Sequence, residues 1–158
     1  MSRLILCCSF LLLAACERAP QVQRLSDGTE IFYQADSSVQ PAPSYPTPRE
    51  IHVDGEAFIR VSTGPLIIRS RLMQLTVSPN SALKIHAYSK QTGEEADMLY
   101  GSAVAQKAYP SNEHEPNTLS AGDAIMINRT IDFQEKDQVP VEPLRAWSQA
   151  LIAAARPR

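Results

Sequence analysis

Ile51-His52-Val53-Asp54-Gly55-Glu56-Ala57-Phe58-Ile59-Arg60-Val61 is the stretch on which the fold class turns. Ile51, Val53, Ala57, Ile59 and Val61 recur at period two, with His52, Asp54, Glu56 and Arg60 on the other face. A helix has a period of about 3.6 and cannot gather that set on one side, so the stretch is a strand with one face on a core. Phe58 is the one large apolar residue on the polar face, which predicts that this face is partly covered as well. Gly55 inside the run points to a bulge or a close backbone approach.

The same pattern continues outward. Gly64-Pro65 turns the chain into Leu66-Ile67-Ile68, and Met73, Leu75 and Val77 alternate until Ser78-Pro79-Asn80. Leu83, Ile85 and Ala87 alternate against Lys84, His86 and Tyr88, and Thr92-Gly93 supplies the next turn. Met98, Tyr100 and Val104 share a parity around Gly101, as in a bulged strand. Residues 110–116 form a polar, acidic loop, and Ala121-Gly122-Asp123 turns into Ile125–Ile127, the last strand the pattern supports. Upstream, Ser26-Asp27-Gly28 is a turn and Ile31–Tyr33 a brief strand. Pro41, Pro43, Pro46 and Pro48 then deny backbone donors and predict a poorly paired excursion within the same domain. Short strands with turns between them give an all-β fold: a small sandwich, a roll or a short β-solenoid. No Gly-rich nucleotide loop supports an α/β reading.

The tail changes period. From Val139 to Ala155, Leu144, Trp147, Leu151 and Ala155 fall at intervals of three and four, the stripe of an amphipathic helix. Pro143 fits its first turn and Pro157 ends it. Trp147 is expected to anchor this helix on the β core, the alternative being an exposed aromatic for a partner.

With 158 residues, 44% hydrophobic and 20% charged, the chain suits one folded domain and excludes large catalytic scaffolds. A net charge of -2 argues against broad nucleic-acid binding. The N-terminus is a processing segment: Arg3 is a minimal positive region, Leu4 to Leu13 an apolar run too short for a membrane span, and Leu13-Ala14-Ala15-Cys16 its end. That tetrapeptide resembles the lipobox of bacterial lipoproteins, which implies cleavage before Cys16 and acylation of its sulfur. Anchoring to a membrane through Cys16 follows, and Glu17 in place of aspartate favours the outer over the inner membrane. All three cysteines lie in the segment, so no thiol is left for a disulfide, metal or nucleophile. Losing residues 1–15 removes Arg3 and no acid, leaving fourteen basic and seventeen acidic side chains.

Several segments, in order, resemble the extracytoplasmic part of FecR-family proteins, regulators that sit between a cell-surface transport receptor and an alternative sigma factor. Leu25-Ser26-Asp27-Gly28-Thr29, with Ser38 further on, is similar to the family's opening strand and the serine element after it. Arg49 followed by Gly55-Glu56-Ala57-Phe58 resembles its most diagnostic segment. Pro65 to Ser70 and Val77 to Tyr88 follow its next elements, with Leu66, Ser70 and Pro79-Asn80 as departures. Met98 to Val104 and Leu119 to Asp123 resemble its later strand and turn. The resemblance runs from about Leu25 to Asn128. With the N-terminal processing segment and the helical tail, it divides the chain into residues 1–15 as signal peptide, 16–24 as lipidated tether, 25–138 as a FecR-like β domain and 139–158 as a helix expected to pack on it. The family's cytoplasmic sigma-binding region and membrane helix have no counterpart among these segments.

The functional expectation is a noncatalytic periplasmic module for protein interaction or sensing, with no cofactor. The signalling domain of a TonB-dependent receptor or another envelope protein is the partner the resemblance implies. A structural envelope lipoprotein and a cell-wall glycan binder are the alternatives. Arg49, Gly55, Glu56, Phe58, Gly101 and Trp147 are the candidate structural or docking residues, with Glu56 expected to pair with Arg49 or Arg60. Leu72–Val77 and Met98–Val104 are the candidate free strand edges for β-augmentation. His52, His86 and His114 are 34 and 28 residues apart, without the local spacing of zinc motifs. The serines lack a nucleophile elbow and the acids are scattered, so no enzyme is expected.

Overall fold

A computed structural model describes residues 19–111 and 115–157. The strands are β1 (Gln21–Arg24), β2 (Glu30–Tyr33), β3 (Ser38–Pro41), β4 (Glu50–Val61), β5 (Leu66–Arg69), β6 (Met73–Val77) and β7 (Ser81–Ala87). They continue as β8 (Gly93–Tyr100), β9 (Ser102–Lys107), β10 (Asn117–Ser120), β11 (Asp123–Asn128) and β12 (Phe133–Gln138). Helix α1 (Val141–Ala154) and the two-residue β13 (Arg156–Pro157) close the chain. Of the architectures open to the sequence, the chain adopts the roll: one sheet in the order β10-β9-β6-β5-β4-β7-β8-β11-β12.

Strand β4 makes the roll possible. Its first residues pair with β3 and, in parallel, with β5. From Gly55 onward it pairs with β7 and β2 instead. The inward residues of both halves, from Ile51, Val53 and Leu75 to Ile59, Ile85 and Ile127, merge into one core. The ends nearly meet: Lys136 Nζ of β12 donates to Thr118 O of β10 at 2.8 Å and Gln134 Nε2 to Glu115 O at 3.4 Å. Side chains, rather than a backbone ladder, close that seam.

The chain passes between the two halves at two glycines, and both use the same device. Gly55, at φ +127°, lies in the middle of β4, and a Cβ there would sit 2.6 Å from Ser37 Cα. Gly101, at φ +81°, links β8 to β9, and its Cβ would sit 2.7 Å from Ser81 Cα. In each case the opposing serine accepts the next amide: Glu56 N–H bonds Ser37 Oγ at 2.8 Å and Ser102 N–H bonds Ser81 Oγ at 3.0 Å. Glycine permits the positive φ and the close approach, and the hydroxyl satisfies a donor that the corner removes from the ladder. Gly101 is therefore a corner between strands, where a bulge within one strand was expected.

Both expected free edges are interior. Strand β6 (Met73–Val77) is paired on both sides, by β5 and β9. Met98–Val104 spans the corner, with β8 between β7 and β11 and β9 between β6 and β10. Their apolar alternation reflects a core-facing side rather than an edge. Gln21–Arg24, expected as tether, already pairs with β2 and β13. Strand β12 was not foreseen, because Phe-Gln-Glu-Lys-Asp-Gln lacks an apolar alternation.

Helix α1 begins two residues later than its pattern suggests and lies on the outer face of the sheet. Leu144 and Leu151 are buried against Phe32, Phe58, Ala82 and Leu99. Phe58, 1% exposed, stacks 6.5 Å from both Phe32 and Trp147, the latter edge-on at 80°. Trp147 is half-buried, with Lys84 Nζ 4.8 Å from its ring centre. Trp147→Ala should destabilise the chain by about 2 kcal/mol, less than a fully buried aromatic costs. Urea denaturation reads this, and a change under about 0.5 kcal/mol would show that the helix docks without the ring.

Candidate functional site

Arg49 has a different partner from the one its sequence position suggested. Its Nε donates to Asp27 Oδ2 at 2.8 Å, and its Nη2 and the Tyr45 hydroxyl bond the same oxygen. Asp27 Oδ1 accepts the Thr29 amide at 2.8 Å, while its carbonyl accepts the Thr63 hydroxyl at 3.0 Å. The Asp27 carboxylate thus ties the β1–β2 turn and the proline-rich segment to the start of β4, and its backbone carbonyl ties in the β4–β5 turn. Burial by itself would raise the Asp27 pKa, but the bonds from Tyr45, Thr29 and Arg49 outweigh it and lower it to about 2. Burial and the bond to Asp27 raise Tyr45 to about 12.

Glu56 meets neither Arg49 nor Arg60. Arg60 bonds Glu30 at 2.6 Å, and Glu56 lies 3.3 Å from Lys84 Nζ and 3.5 Å from His86 Nδ1. The expected pairs assumed neighbours along β4, whereas a sheet pairs across strands: Glu56 stands opposite His86, and Phe58 opposite Lys84. Arg49, Gly55, Phe58 and Gly101 hold the roll together from separate places. Glu56 and Trp147 stand at the margin of the open sheet face beside α1. Cys16 and His114 lie outside the described residues.

Among the described residues, no group of three His, Cys, Asp or Glu side chains is placed to hold a metal ion. Nor, among them, is any helix long and apolar enough to cross a membrane. A hollow of about 370 Å³ includes His52, Arg69 and Arg71 in its lining. Arg69 is spent on Glu50 at 2.9 Å, His52 lies 3.3 Å from that carboxylate and Arg71 donates to Gln91 O. Glu94, 1% exposed, accepts the Ser70 hydroxyl and, at 3.0 Å, the Leu72 amide, and burial pushes its pKa up.

The sequence reading missed the outer face of β8, β11 and β12. Asp97 stands beside Ala124, and Ala124 beside Asp137; Glu95 stands beside Met126, and Met126 beside Glu135. Met126 is 45% exposed and Phe133, on the same face, 37%. A hollow of about 480 Å³ runs along His86, Glu95, Met126 and Asn128. Another of about 280 Å³ lies between Lys84, Asp97, Pro140 and Trp147. The signal was present only as an alternation of acids, Glu95-x-Asp97 and Glu135-x-Asp137, which reads as solvated surface until the register brings the pairs together.

Burial, followed by the nearby Glu95 carboxylate, raises the Asp97 pKa from 3.8 to about 6. The folded chain therefore holds this proton more tightly than the unfolded chain, and stability falls as pH rises from about 4 to about 6. Asp97→Asn should stabilise the protein by about 2 kcal/mol at neutral pH and remove that slope. Thermal unfolding across this pH range tests it, and an unchanged slope would reject the assignment.

No family model matches the chain, and no curated protein matches it. Its fold is similar to that of a candidate anti-sigma factor from Parabacteroides distasonis, known from crystal structures at 1.65 and 2.50 Å resolution. Each superposes with a TM-score of 0.71 at 20% identity, over 82% of this chain and 60% of that one. The shared feature is the fold, and this chain spans 60% of the other protein's length.

Proposed function

We propose that this chain is a noncatalytic protein-docking module of the FecR type, working at the bacterial cell envelope in cell-surface signalling. The observation that carries the reading is the fold shared with a candidate anti-sigma factor over 82% of the chain. The ordered FecR-like segments, Gly55-Glu56-Ala57-Phe58 above all, support it. The module faces the periplasm and is held by lipid on Cys16, more readily at the outer than the inner membrane. Only residues 17–20 separate that cysteine from β1, a reach of about 17 Å for five residue steps, so the β1 end of the roll stays close to the lipid. Its partner is the periplasmic signalling domain of a TonB-dependent receptor or another envelope protein.

Photo-crosslinking in cells from Gln106, on the outer face of β9, and from Phe133, on β12, tests the docking role. A specific product containing a receptor signalling domain or another defined envelope protein is the expected result. No specific protein from either position, together with binding of the purified chain to cell-wall glycan, would overturn it. Labelling with a palmitate analogue should tag the wild type and spare Cys16→Ser; equal labelling of both would remove the anchor.

A further inference from the structure

The geometry points to the outer face of β8, β11 and β12 as a track for an extended, lysine- or arginine-bearing segment of a partner protein. The inference rests on the docking reading and adds the chemistry of what docks. Two acidic rails, Glu95 and Asp97 on β8 and Glu135 and Asp137 on β12, flank the floor of Ala124 and Met126 on β11. Strand spacing puts the rails about 10 Å apart and successive acids on each rail about 7 Å apart. None of the four carboxylates has an ion pair among the described residues, whereas Asp27, Glu30, Glu50, Glu56, Asp123 and Asp132 all do. On the neighbouring strand β7, Lys84 Nζ and His86 Nδ1 lie 3.3 and 3.5 Å from Glu56 instead.

The spacing selects the ligand. Four acids on two strands, held apart by the width of β11, are too dispersed for one metal ion, which agrees with the lack of any such cluster among the described residues. They match separate cationic side chains leaving both sides of an extended chain. Between the rails the floor is apolar, with Met126 nearly half exposed and Phe133 beyond it, and it accepts the apolar stems of such residues. Asp97 Oδ1 is buried without a hydrogen-bond partner beside the Trp147 hollow, so a donor from the partner would satisfy an acceptor the fold leaves unmet. An anionic lipid surface would be repelled by the same four charges.

The test uses the purified full chain and a short labelled peptide alternating lysine with valine. Binding should weaken as salt rises from about 50 to about 300 mM. The double variant Glu135→Lys and Asp137→Lys, both exposed positions, should lose at least about tenfold in affinity with an unchanged unfolding midpoint. A glutamate version of the peptide should not bind. Equal binding by the variant, or none by the wild type, overturns the track. In cells, a crosslinker at Met126 should capture a partner segment carrying lysine or arginine. Capture from Gln106 alone, or of a segment without cations, overturns the track and leaves the docking reading standing. Capture from neither position removes the docking reading as well.

Discussion

Gly55→Ala is expected to cost the fold about 3–5 kcal/mol, enough to leave much of the chain unfolded at ambient temperature if its stability is ordinary. Two effects add. A side chain at φ +127° occupies a backbone region that L residues rarely enter, worth about 1–3 kcal/mol. The added Cβ also meets Ser37 Cα at 2.6 Å, and main chain cannot swing away as the tip of a side chain can. Overpacking of that kind costs a further 1–3 kcal/mol or so. Because the collision is with backbone, Ser37→Ala should fail to rescue the variant. Gly101→Ala should behave alike, since its Cβ meets Ser81 Cα at 2.7 Å with φ +81°. Gly93 has no positive φ and its Cβ would find no neighbour nearer than 3.4 Å, so Gly93→Ala should cost less than about 1 kcal/mol. Denaturant melts of the three variants decide the matter, and similar losses in all three would reject the corner account.

That contrast shows what the sequence could convey. Period-two alternation marked β4, β6 and β7, and a spacing of three and four marked the helix, because each buries one face and burial leaves a trace at every second or every third to fourth residue. Gly55 and Gly101 were visible as interruptions, but nothing in the chain says that Ser37 and Ser81 stand opposite them, 18 and 20 residues away. The face carrying Glu95, Asp97, Glu135 and Asp137 was hidden for a related reason. It depends on β12, whose polar residues pair with β11 through the backbone and leave no hydrophobic period. Apolar pattern also misplaced the edges: Leu72–Val77 is rich in core residues because it is central, and edge strands such as β12 are poor in them. Arg49 stood out in the sequence, yet its partner Asp27 lies in a turn that looked merely local.

Asp27 is where the second large effect should fall. Asp27→Ala removes the acceptor of Arg49 and Tyr45 together and leaves a mostly buried guanidinium without its counter-charge, at a cost of about 3 kcal/mol. Asp27→Asn keeps the shape and reports on charge alone. Folding lowers this carboxyl from 3.8 to about 2, so its contribution is in full force above about pH 4 and is lost as pH falls toward 2. The window is worth about 2 kcal/mol. Asp54, Asp123 and Asp132 are also held below the ordinary carboxylate value and add to the acid loss in the same direction. Asp97 acts in the opposite sense and in another window, losing stability as pH rises from about 4 to about 6. Wild type minus Asp27→Asn should therefore give a difference that shrinks only below about pH 4. Wild type minus Asp97→Asn should change only between about pH 4 and 6. If the Asp27→Asn difference instead stays constant down to pH 2, the Asp27 carboxylate is not the charge that holds the turns to β4.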